Sequence, residues 1–134
     1  MDRDAVDRWL QAYVAAWKTY DPDQIAALFA EDVRYRYHPY DAPVEGRDAV
    51  VTAWVGDSAT AGVSTRDEPG TYDATYRVVA VDDRVAVAVG STHYSETADS
   101  APKVFDNCFV IRFDPEGRCN DFTEWYLERP APSA

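Results

Sequence analysis

Between Lys103 and Arg129 two runs rich in aromatic and β-branched residues flank the segment Asp114-Pro115-Glu116-Gly117, which is turn chemistry. The stretch therefore reads as a β-hairpin. Pairing Phe113 with Arg118 predicts Ile111 opposite Asn120, Phe109 opposite Phe122, Asn107 opposite Glu124 and Phe105 opposite Tyr126. Side chains alternate faces along a strand, so these residues share one side of the sheet. An amide and a carboxylate then face each other amid four aromatic rings. That composition suits a pocket, because a buried carboxylate in a purely apolar core is expensive.

Upstream of the hairpin the hydrophobic period changes once. Val6, Trp9, Leu10, Tyr13, Ala16, Trp17 and Tyr20 recur at three- and four-residue steps, which predicts a helix with one apolar face, capped by Asp2 or Asp4. Asp21 as N-cap and Pro22 at the first helical position predict a second helix that turns Ile25, Leu28 and Phe29 inward. A short extended run from Val33 to His38 ends before Pro39, which disfavours helix for its predecessor. Tyr40-Asp41-Ala42-Pro43 reverses the chain, and Gly46 precedes a third helical segment from Arg47 to about Val55, with Val50 and Trp54 on one face. Strands follow: Tyr72 to Val81, a turn at Asp82-Asp83, Val85 to Ser95, then the hairpin. Polar segments from Ala59 to Gly70 and from Glu96 to Pro102 lack apolar periodicity and are candidate rims or lids.

A length of 134 residues predicts one domain over residues 1–129 and a loose tail over 130–134. The formal net charge of -11 and a pI near 4.4 argue against nucleic acid or an anionic membrane as partner. The chain has no basic, apolar leader and no apolar run of bilayer length, so the expectation is a cytoplasmic protein. The hairpin sets Cys108 opposite Thr123 and out of step with Cys119, so no disulfide is expected. No Cys-x-x-Cys pair exists and the two histidines lie far apart, so no metal is implied.

The element order and the segments AYVAAWKTYDPDQIAALFAEDV, HPYDAPVEGRDAV and DPEGRCNDFTEWYLERP resemble the nuclear transport factor 2-like superfamily, and within it the SnoaL-like and ketosteroid-isomerase-like branch. The resemblance implies an α+β, cone-shaped fold: three N-terminal helices packed on a curved, mainly antiparallel sheet that encloses a pocket. It implies less about activity, since this scaffold hosts isomerases, cyclases, dehydratases, epoxide hydrolases and binding domains. Tyr13 matches the oxyanion-hole tyrosine of a ketosteroid isomerase. His38, before Pro39, stands where that enzyme has its aspartate base, and Phe109 stands where it has a second, protonated-acid donor. Isomerisation by that route needs both donors, so a standard ketosteroid isomerase is not expected. Epoxide hydrolase relatives use an Asp-Arg-Asp set inside the cone. Here Asp106 and Arg112 fall on the face opposite Asn107.

The candidate catalytic residues are therefore His38, Glu124 and Tyr13. Imidazole changes charge nearest neutrality, a carboxyl drawn inside a pocket becomes a useful acid or base, and a phenol donates to a carbonyl oxygen. Each has a structural alternative: a turn hydrogen bond for His38, a surface ion pair for Glu124, a core position for Tyr13. Asn107, Trp54, Tyr37, Tyr76, Phe109, Phe122 and Tyr126 are the candidate ligand-binding residues, and the facing of His93 is open. The reading is a cofactor-independent enzyme acting by acid and base chemistry on a small hydrophobic carbonyl compound, since no Gly-rich phosphate loop calls for a nucleotide cofactor. The alternative is a non-catalytic ligand-binding or dimerisation module. A homodimer through the outer sheet face is expected, where valines alternate from Val85 to Val89.

Overall fold

Asp2 starts the first helix of the computed structural model, which describes residues 1–56, 67, 69–98 and 100–130. Its carboxylate accepts from the Ala5 N–H at 2.8 Å and opens α1 (Arg3–Thr19). The helix ends at Tyr20, which is left-handed at φ 51 and donates its N–H to Ala16 O. Asp21 then caps α2 (Pro22–Leu28) by accepting from the Asp23 and Gln24 N–H groups, with Pro22 in the first turn. Of the predicted inward face of α1, residues Val6 to Ala16 are buried, whereas Trp17 and Tyr20 are partly exposed. Phe29 does not belong to the second helix as expected. It opens β1 (Phe29–Arg36) and is still fully buried.

The remaining elements are β2 (Val44–Glu45), α3 (Arg47–Val55), β3 (Tyr72–Asp82), β4 (Val85–Tyr94), β5 (Lys103–Phe113) and β6 (Cys119–Glu128). Their sheet order is β2-β1-β6-β5-β4-β3. Only β1 and β6 run parallel; the other pairs are antiparallel, so the sheet is mixed. The two-residue β2, which no expectation covers, pairs with Arg34 and Tyr35 and is too short to carry a period. Helix α1 packs on β3 and α3 on β1, and Tyr13 of α1 and Trp54 of α3 share one buried core with Phe109 and Phe122 of the sheet. There Trp9 holds the core together. Its Nε1–H donates to Leu28 O at 3.0 Å, and its ring meets Phe29 and Phe113 edge-on.

The hairpin register differs from the expected one by two residues. Phe113 pairs with Cys119, Ile111 with Phe122, Phe109 with Glu124, Asn107 with Tyr126 and Phe105 with Glu128. The turn is the cause. Asp114 Oδ1 accepts from the Glu116 and Arg118 N–H groups, the Asp114 N–H donates to Arg118 O, and Gly117 sits at φ 85. That loop holds Arg118 out of the ladder, and an irregularity beside Phe113 completes the slip. An even slip leaves each side chain on its face, so Asn107 and Glu124 still point the same way. Cys108 now pairs with Trp125 rather than Thr123, and both cysteines are free. His93 lies on the outer face, exposed, with Nε2 3.2 Å from Ser91 Oγ.

Of the two polar segments, 59–66, 68 and 99 lie outside the described residues, as do 57–58 before them and 131–134 of the tail. Among the described residues no helix is long and apolar enough to cross a membrane.

One glycine is a steric requirement of this sheet. A Cβ on Gly90 would stand 2.0 Å from Thr75 O and 2.6 Å from Tyr76 Cδ1 on the neighbouring strand. Gly90→Ala is expected to cost about 1–3 kcal/mol in chemical denaturation, because the facing strand must shift. A variant as stable as the wild type would show that β3 yields freely at this point.

Candidate functional site

The inner face of the sheet and the helices leave a cavity of about 900 Å³. Tyr13, Trp54, Tyr37 and Tyr76 contribute to its wall, together with the polar pair Asn107 and Glu124, and Tyr126. Alternation delivers most of them. Asn107 comes from β5, Glu124 and Tyr126 from β6, and Tyr76 from β3, while Tyr13 comes from the inner stripe of α1 and Trp54 from that of α3.

A directed hydrogen-bond chain runs along this wall. Asn107 Nδ2 donates to Glu124 Oε2 at 2.8 Å, and Asn107 Oδ1 accepts from Thr92 Oγ1 at 3.0 Å. Having given its proton to the amide, Thr92 Oγ1 accepts from the Tyr76 hydroxyl at 2.7 Å. The chain thus fixes the amide orientation and points a donor at Glu124. Burial pushes the Glu124 carboxyl up from 4.5 to about 7; the Asn107 bond and the charge of His38 oppose that rise without cancelling it. Its second oxygen, Oε1, has no hydrogen-bond partner among the described residues.

Tyr13 is 7 % exposed, and its hydroxyl lies 2.9 Å from that of Tyr35. Burial holds both phenols well above the usual tyrosine range, so both keep their protons. One hydroxyl donates to the other, and the accepting one retains a proton for a third partner.

His38 is not among the wall residues. Strand β1 ends at Arg36, and His38 begins a turn in which its carbonyl accepts from the Asp41 N–H. Its Nδ1 lies 2.8 Å from Asp41 Oδ2, and its Nε2 lies 2.8 Å from the Tyr126 hydroxyl. A carboxylate only accepts, so Nδ1 carries a proton, and Nε2 accepts from Tyr126 when the ring is neutral and donates to it when the ring is protonated. The imidazole therefore reaches the cavity only through Tyr126. Phe109 and Phe122 are also absent from the wall. Both are fully buried behind it, their rings 4.9 Å apart.

Several wall residues were not expected. Tyr35 follows Val33 by two and precedes Tyr37 by two, a period that would have revealed it. Thr92 and Tyr94 become legible only once the strand's phase is known, which the open facing of His93 withheld. The helical period places Trp17 and Tyr20 in the helix core, and Asp67 falls in the polar segment from Ala59 to Gly70, where the sequence marks a candidate rim but singles out no residue. Asp106 and Arg112 are exposed on the outer face, where Asp106 forms a bidentate pair with Arg129 at 2.8 Å. Among the described residues no group of three His, Cys, Asp or Glu side chains comes together to hold a metal ion.

A candidate ketosteroid isomerase from Kribbella flavida DSM 17836 superimposes with a TM-score of 0.66 at 18% identity, covering 99% of this chain and 85% of its own. An LEH-like epoxide hydrolase from M. tuberculosis superimposes with a TM-score of 0.62 at 15% identity, covering 93% of this chain and 84% of its own. At those identities the likeness is one of fold. No curated protein matches the sequence significantly. The profile of the SnoaL-like domain matches residues 10–122, nearly the whole of the helices and sheet that build this cavity, and the chain belongs to that family.

Proposed function

We propose that the protein is a cofactor-independent small-molecule enzyme of the isomerase, cyclase or dehydratase type, acting by acid and base chemistry on a hydrophobic carbonyl compound. One observation carries this reading: the Glu124 carboxyl stands in an aromatic-walled cavity, held by one oxygen and open at the other, and ionises near 7. An acid poised near neutrality is matched to proton transfer in both directions. Packing alone gives no reason to keep it, since its burial costs stability.

In this reading the carbonyl oxygen of the ligand accepts a hydrogen bond from the Tyr13–Tyr35 pair. Glu124 Oε1 takes a proton from the carbon next to that carbonyl, leaving an enolate. The same carboxyl then returns the proton to a different carbon, or to a leaving hydroxyl. Asn107 keeps the carboxylate oriented through its other oxygen. His38 acts at one remove: Tyr126 touches the ligand space, and His38 with Asp41 behind it can take up and return the Tyr126 proton. The aromatic wall favours a flat apolar ligand. A second copy packing on the outer sheet face, where Trp125 and Leu127 are exposed, belongs to the same proposal.

The test uses 2-tetralone in D₂O, with binding followed by tryptophan fluorescence and exchange at the carbon next to the carbonyl followed by NMR. The wild type is expected to accelerate exchange over buffer, and Glu124→Gln to lower that rate by about 10²-fold or more with binding retained. Binding by the wild type without accelerated exchange would favour a ligand-binding module and overturn the enzymatic reading.

A further inference from the structure

Away from Glu124, the C-terminal end of α1 and the end of β4 build another part of the same cavity wall. Trp17 and Tyr94 stand with ring centroids 6.4 Å apart and planes at 68°, forming an open aromatic corner. Tyr72 packs on Trp17 at 4.4 Å, stands 6.4 Å from Tyr94, and donates its hydroxyl to Trp17 O at 2.7 Å, which steadies this cluster of three rings. The indole Nε1–H donates to Asp67 Oδ2 at 3.2 Å and to the Tyr20 hydroxyl at 3.0 Å. Tyr20 lies 3.5 Å from the same Asp67 oxygen and accepts from the Asp67 N–H at 3.0 Å. Trp17 and Tyr20 thus hold the carboxylate against the corner.

Among the described residues that carboxylate has neutral partners only. None of the ion pairs among the described residues includes Asp67, and the one cation on the described wall, Lys103, lies 4.0 Å from Glu128. Burial pushes the Asp67 carboxyl up, against the pull of its two donors, so its charge is costly while the cavity is empty. A ligand cation would reverse that cost. It would also lie against the electron-rich faces of an indole and a phenol, an arrangement that attracts ammonium groups. A second carboxyl, Glu124, and a net charge of -11 make the cavity hostile to anions and favour the approach of cations.

We propose that Asp67, Trp17 and Tyr94 form a cation subsite, so that the ligand of this cavity carries a protonated amine at one end and presents its reacting group to Glu124 at the other. The inference rests on the cavity being a small-molecule site and adds the class of molecule. Carboxylates and phosphate esters are excluded as good ligands on the same electrostatic ground.

Two probes of one shape separate the possibilities: 2-naphthylmethylamine, protonated at pH 7, and 2-naphthylmethanol, neutral. Calorimetric titration of the wild-type protein is expected to give an amine affinity about tenfold above that of the alcohol. In Asp67→Asn the preference should fall below about threefold with the alcohol unchanged, and in Glu124→Gln it should persist. Tyr94→Leu, which leaves the carboxylate in place, should weaken the amine selectively and serves if Asp67→Asn fails to fold by circular dichroism. Equal affinity of the two probes for the wild type overturns the cation subsite and leaves the cavity as a ligand site. A preference that survives Asp67→Asn but disappears in Glu124→Gln overturns it by assigning the attraction to the other carboxyl. Failure of both probes to bind overturns the subsite and the small-molecule reading together.

Discussion

Replacing Glu124 with glutamine is expected to stabilise the fold by about 2–3 kcal/mol at pH 8 and by only a few tenths at pH 4.5. The Glu124 carboxyl ionises near 7 in the folded chain, against an ordinary value of 4.5. The folded state thus binds this proton more tightly than the unfolded one. Its stabilising contribution is complete below pH 4.5 and is lost as pH rises through 7. At 1.36 kcal/mol per pH unit the interval amounts to about 3 kcal/mol, and residual contact with solvent trims it toward about 2 kcal/mol. Glutamine has no such proton to lose, has nearly the same volume, and offers Asn107 Nδ2 the same acceptor. Asp73 and Asp106 ionise below the ordinary carboxylate range beside Lys18 and Arg129 and slope the opposite way, but both proteins share them. Urea denaturation of both proteins at pH 4.5, 6 and 8 makes the comparison. Parallel stability profiles would mean that Glu124 is solvated like a surface acid, and the enzymatic reading would lose its support. A gain in stability on removing the group is the usual mark of a side chain retained for chemistry.

How far such a site can be read from the chain depends on whether local or long-range forces place each residue. The caps at Asp2 and Asp21 and the inner stripe of α1 are local, and they stand where periodicity and capping rules predict. Face assignment in the hairpin depends on parity alone, so Asn107 and Glu124 meet although the register is shifted by two residues. His38 stands away from the wall for a matching reason. Its expected place assumed a strand continuing to residue 38, whereas β1 stops at Arg36, and beyond that end the turn with Asp41 decides where the imidazole points. Phe109 and Phe122 share the inner face with the wall residues, yet depth within a layer is set by what the helices lay over them, which no strand pattern encodes. Asp67 is the extreme case. Among the described residues it is Trp17 and Tyr20, more than forty positions earlier, that hold it to the wall.

Phe122→Ala is expected to be the most damaging single truncation, with a loss of about 3–5 kcal/mol in chemical denaturation. The ring stacks on Tyr35, at 4.5 Å and 6°, and lies nearly parallel to Tyr13, at 5.6 Å and 15°, with Phe109 at 4.9 Å. Truncation leaves a ring-sized void with no exposed edge, because Phe122 is 0 % exposed and its neighbours belong to three different elements that cannot collapse together. Domains of this size hold about 5–15 kcal/mol in all, so the variant sits at the margin of folding. Phe122→Leu separates volume from stacking: it keeps most of the volume and is expected to cost under about 2 kcal/mol, a sum of modest repacking and the lost ring contacts. A cost of less than 1 kcal/mol for Phe122→Ala would contradict the packing described. The same ring contacts help set the spacing of the two phenols whose hydroxyls stand 2.9 Å apart in the cavity wall. Phe122→Leu should therefore weaken 2-tetralone binding through Tyr13 and Tyr35 without touching the ligand itself, so a buried ring that contacts nothing in the cavity governs the geometry of its donors.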